Sequence, residues 1–153
     1  MDRENNVTVM NTAGSSILCV IDFTEASKNA LGKALNIAES FKLKLTVLYP
    51  YRLNQPLNIP DVAQWKGSIE RDASENFKRM TTTLFKESHM SWEFKPEVGF
   101  LDDRIQIFTE KHNVTLVVMS SDLAYKSDGA FVDMLAKLKT PLLIVPAGQT
   151  TES

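Results

Sequence analysis

The sequence predicts an α/β protein in which an open parallel sheet of five strands carries helices on both faces. Three observations predict it. Short aliphatic and β-branched runs alternate with longer segments of helical period. The first run, "ILCVID", is almost continuously apolar, as in a strand buried on both faces. No internal repeat or low-complexity segment breaks the alternation, so the 153 residues read as one domain.

Each element has its own signal. Residues 17–22 form the first strand, and Thr24 is placed to cap the first helix. Ala26, Ala30, Ala34 and Ala38 recur every four residues, with Leu31, Leu35 and Phe41 beside them. This is one face of that helix, small enough to lie close to a sheet. "KLTVLYP" is the second strand, at 45–49. "YRLNQPLNIP" holds two prolines and no period, so it is a loop. Val62, Trp65, Ile69, Ala73, Phe77, Met80 and Leu84 advance by threes and fours and mark a long helix to about Glu87. Trp92, Phe94 and Val98 alternate in a third strand, 92–98, that stops at Gly99. Asp102 is placed to cap a helix with Ile105 and Phe108 on its apolar side. "TLVVMS" (115–120) and "LLIVP" (142–146) are the last two strands. Between them lies a short helix with Phe131, Met134, Leu135 and Leu138 on one side, giving four helices in all.

Composition narrows the function. A net charge of -2 and the lack of any Lys/Arg cluster offer no field for nucleic acid or an anionic membrane. No apolar run approaches the ~20 residues that span a bilayer, and the start does not read as a signal peptide. A lone Cys19 excludes an internal disulfide framework, and it falls inside a buried strand. Residues 1–15 read as a loose arm, 16–147 as the domain and 148–153 as a polar tail.

In open α/β sheets the ligand sits beyond the carboxyl ends of the strands, where the chain reverses its direction of travel across the sheet. Asp22, Tyr49, Gly99, Ser120 and Ser121 stand at such ends. Asp22 reads equally as a ligand contact or as a carboxylate receiving the amides of the next helix. Thr24 reads as a cap and Tyr49 as packing. His89 and His112 fall near helix ends without partners at metal spacing, and the adjacent Asp102 and Asp103 do capping work rather than acid/base work. Trp65 and the methionines read as core. No nucleophile elbow, Walker-type loop or other catalytic constellation is present.

"ILCVIDFTEASKNALGKALNIAESFKLKLTVLYP" resembles the opening of the universal stress protein family: an apolar strand ending in Asp, a Ser or Thr two residues on, and alanines along the first helix. "PEVGFLDDRIQIFTEKHNVTLVVMSS" and "LKTPLLIVPA" resemble that family's later strands and third helix. The resemblance implies a Rossmann-like sheet in the order 3-2-1-4-5, with the reversal between strands one and four. It also implies a cytoplasmic homodimer paired through the last strand, with Leu143, Ile144 and Val145 at or near the interface.

ATP-binding members carry Gly, two residues, Gly, about nine residues, then Gly with Ser or Thr after the fourth strand. Here Ser120 or Ser121 stands at the first position, Leu123 or Ala124 at the second, and Gly129-Ala130 at the close. One glycine of three survives, and the segment is shortened. Asp22, Thr24, Tyr49, Ser120, Ser121, Gly129 and Ala130 then outline a vestigial nucleotide crevice. The expectation is a non-catalytic stress-response module that binds ATP weakly or not at all, with no cofactor and no metal. One alternative is a nucleotide-binding protein with an altered phosphate site built on the serines and the amides around Gly129. The other is an enzyme or flavoprotein subunit of related fold.

Overall fold

The computed structural model describes residues 15–53, 61–86, 88, 90–126 and 128–147, with the backbone alone at 128–130. The expected arm before Ser15, the tail at 148–153, most of the proline-containing loop, Glu87 and His89 lie outside the described residues. The order is β1 (Ser16–Val20), α1 (Glu25–Phe41), β2 (Lys44–Tyr51), α2 (Val62–Thr81), β3 (Trp92–Val98), α3 (Leu101–Lys111), β4 (Val114–Ser120), α4 (Ser121–Lys126), α5 (Asp128–Lys137) and β5 (Leu142–Val145). The strands form one parallel sheet in the order β3-β2-β1-β4-β5.

Alternation along each strand divides the core in two. Ile17 and Cys19 of β1 face the layer made by α1 and α2, together with Leu45, Val47, Val118 and Phe77. Leu18 and Val20 face the layer made by α3 and α5, with Ile105, Phe108, Met119 and Met134. Central β1 is therefore buried along its whole length, which is why its sequence shows no alternation of apolar and polar residues. Cys19 has no exposed surface, and that burial pushes its thiol pKa far up.

The alanine face of α1 behaves as its spacing predicts. Ala30, Ala34 and Ala38 are fully buried against the sheet, and bulkier residues there would overpack it at about 1–3 kcal/mol each. Thr24 is the N-cap, its hydroxyl accepting from the Ser27 N–H. The helix closes at Lys42 in a left-handed conformation, where the cap N–H reaches the Ala38 and Glu39 carbonyls. Phe77 anchors α2, stacking on Phe94 at 4.3 Å between ring centroids.

Several expectations need correction. There are five helices among the described residues rather than four, because β4 passes straight into α4. Its six residues are too few to show a period in sequence. The long helix ends at Thr81 and passes into turns, although Leu84 still packs on the core. Phe41, the last residue of α1, is 68% exposed. Leu135 also faces out, since Met134 takes the inward position on α5. The N-cap of α3 is Phe100, without a side-chain bond. Asp102 and Asp103 instead lie in the first turn, where their charge favours the positive end of the helix. Trp65 is only half-buried.

Candidate functional site

The sheet order reverses between β1 and β4, so the crevice of interest opens beyond their carboxyl ends. Ile21 still holds the Leu48 carbonyl through its N–H at 2.9 Å, and then the chain turns. The Asp22 N–H donates to Ser27 Oγ at 3.0 Å. Asp22 Oδ1 accepts from the Thr24 N–H at 3.2 Å, the Thr24 hydroxyl at 2.5 Å and the Ser27 hydroxyl at 2.8 Å. Its Oδ2 accepts from the Lys126 ammonium at 2.8 Å. Burial pulls the Asp22 pKa up, but Lys126 and the Thr24 and Ser27 donors outweigh it and hold the carboxyl below its ordinary range. The same pairing raises the Lys126 pKa.

Tyr49 packs between Phe23 at 4.7 Å and Tyr51 at 5.9 Å. Burial first, and then the nearby Asp22 charge, raise its phenol pKa. Tyr51 donates its hydroxyl to Glu70 at 2.6 Å, and Lys66 holds the same carboxylate at 3.0 Å. The Tyr51–Glu70 bond ties the end of β2 to α2.

On the far side, β4 passes without a loop into α4. Ser120 is buried, and its Oγ accepts from the Leu123 N–H at 3.0 Å. Leu123 and Ala124 turn into the core. Gly129 and Ala130 fall in the first turn of α5, where only the backbone is described. Gly99 follows β3 with φ 144°, a conformation L side chains rarely adopt, and its N–H donates to the Tyr51 carbonyl at 2.8 Å. A Cβ there would stand 2.6 Å from Arg104 Cδ. The Arg104 guanidinium donates to the Val98 carbonyl at 3.2 Å.

A cavity of about 510 Å³ opens at this end of the sheet, bounded by Asp22, Pro50, Gly99, Phe100, Leu123 and Lys126, with Arg52 at its wall. The Arg52 guanidinium lies 4.2 Å from the centroid of the Phe100 ring. A larger open groove of about 740 Å³ runs along α1 past Glu25, Lys28 and Lys33, but the reversal point of the sheet lies at the smaller cavity. Of the strand-end residues expected from sequence, Asp22 and Gly99 line that cavity. Thr24 acts through Asp22, Tyr49 packs behind, and α4 contributes Leu123 and Lys126 rather than Ser120 or Ser121. Leu143, Ile144 and Val145 lie on β5 at the sheet edge.

Sequence reasoning missed Lys126, Arg52 and Phe100. Lys126 meets Asp22 across a separation of 104 residues, and nothing local marks one lysine among many. Arg52 carried a weak signal, because it directly follows the end of β2. Among the described residues no group of three or more His, Cys, Asp or Glu could hold a metal ion. Nor is any described helix long and apolar enough to cross a membrane.

Several solved proteins share this fold. The universal stress protein UspA from Lactobacillus plantarum superposes with a TM-score of 0.64 at 15% identity, over 88% of this chain and 98% of that one. A universal stress protein solved in complex with cAMP gives 0.58 at 21% identity, over 88% and 98%. One from Archaeoglobus fulgidus in complex with dAMP gives 0.63 at 16% identity, over 86% and 97%. No curated protein matches the chain. The family model described as "Universal stress protein family" matches residues 15–123, from the buried first strand through the crevice and into α4, and this chain belongs to that family.

Proposed function

We propose that this chain is a non-catalytic stress-response module that works as a cytoplasmic homodimer and binds ATP weakly or not at all. The observation that carries the reading is the direct passage of β4 into α4. A triphosphate needs several backbone amides converging on it, and glycines that let the backbone come close. Here the Leu123 N–H is already taken by Ser120 Oγ, and the Leu123 and Ala124 side chains fill the space beneath it. Asp122 adds a negative charge to the first turn. Each lost hydrogen bond to a charged group costs about 1.5–3 kcal/mol. Two or three such losses weaken binding by roughly two to six powers of ten.

Titration calorimetry with ATP and magnesium tests this. The expected result is no saturable heat at micromolar protein, and a micromolar or tighter dissociation constant overturns it. A second reading has a specific observation in its favour: the cavity of about 510 Å³, in a fold whose relatives were solved with the monophosphates cAMP and dAMP. In that reading the crevice takes a nucleotide with fewer charges, and the same titration with cAMP separates the two.

A further inference from the structure

We propose that Lys126 is a built-in plug, an ammonium that occupies the ligand face of Asp22 and keeps the crevice closed to neutral ligands. The inference rests on the reading of this crevice as a nucleotide-type site without an ATP loop. Asp22 Oδ1 is saturated from its own turn by Thr24 and Ser27. Only Oδ2 faces across the crevice, and Lys126 Nζ sits on it at 2.8 Å. Both residues line the cavity, and the bond joins the turn after β1 to the end of α4. A ligand seeking a carboxylate acceptor therefore meets one already in use. Lys126 keeps 59% of its side chain exposed while Asp22 keeps 21%, so the lysine is the member of the pair that can swing into solvent. Its removal leaves the capping network of α1 in place.

The test is adenosine binding, measured by calorimetry. Adenosine bears hydroxyl and amine donors but no phosphate, so deleting a cation does not weaken its attraction to the site. Lys126→Ala is expected to bind adenosine about tenfold to hundredfold more tightly than the unaltered protein, the worth of one hydrogen bond to a charged acceptor. Lys126→Arg keeps the cation and should remain near the unaltered protein. Adding Asp22→Asn to Lys126→Ala should cancel the gain. Raising salt from about 0.1 M to about 1 M screens the half-exposed pair, so it should strengthen adenosine binding to the unaltered protein and leave Lys126→Ala unmoved. The plug is overturned if Lys126→Ala binds adenosine no better, or if salt moves both proteins alike. Tight ATP binding by the unaltered protein would instead overturn the functional reading, and the adenosine series does not depend on that outcome.

Discussion

At Asp22 a single carboxylate receives four donors, three from its own turn and one from a helix that succeeds a different strand. Its folded-state pKa lies below the ordinary value. The stabilisation is therefore fully present above the unfolded pKa of about 3.9 and is lost as pH falls through the folded value. Asp22→Ala should cost about 1–3 kcal/mol near neutral pH, because the Thr24 and Ser27 donors lose their acceptor. Urea denaturation should show the gap between the two proteins narrowing as the pH drops below about 4; a gap unchanged at acid pH would show that the charge contributes nothing. The local part of this network was legible, since an Asp followed two residues later by Thr at a helix start is a capping pattern. The lysine was not, because no local rule links positions 104 residues apart.

Among the elements, strands were the easiest to read and short helices the hardest. β3 matches its expected span, and Pro96 is tolerated there because the strand lies at a sheet edge. α4 was not foreseen, since a six-residue stretch with apolar Leu123 and Ala124 shows no helical period. Gly99 joins β3 to α3 in a backbone conformation that excludes a side chain, with Arg104 packed against its open face. Gly99→Ala should cost about 1–3 kcal/mol through backbone strain, and more if Arg104 cannot swing aside. Thermal unfolding measures it. A melting temperature indistinguishable from the parent's would mean that the turn relaxes freely.

Over the whole molecule, alternation of strands and helices implied a parallel two-faced sheet, but it could not imply the strand order. That came only with the family resemblance, because several right-handed windings satisfy the same alternation. The order puts β5 at an edge, paired on one side with β4. An apolar edge with little charge to guard it invites a second copy. The three residues expected near that interface differ in role. Leu143 is 36% exposed, whereas Val145 is buried and Ile144 packs on the α5 side of the core. Leu143→Lys is therefore the informative change, since Ile144→Lys would also damage the fold. Light scattering should give a dimer for the parent protein and a monomer for Leu143→Lys at micromolar concentration. A parent monomer, or a variant dimer as tight as the parent's, would remove the last strand from the assembly.

The seclusion of Cys19 has a practical corollary. It is the chain's single thiol, in the central strand, with neighbouring strands paired on both sides and no exposed surface. Fraying of an end or breathing of a loop does not uncover it; the layer of α1 and α2 must part from the sheet. A thiol-reactive dye added to the folded protein thus reports the frequency of whole-molecule opening, since no other residue can take the label. When reclosing outpaces the dye, the labelling rate divided by the rate for a free thiol is the opening equilibrium constant. The protein carries an internal gauge of its global stability, readable under native conditions without denaturant.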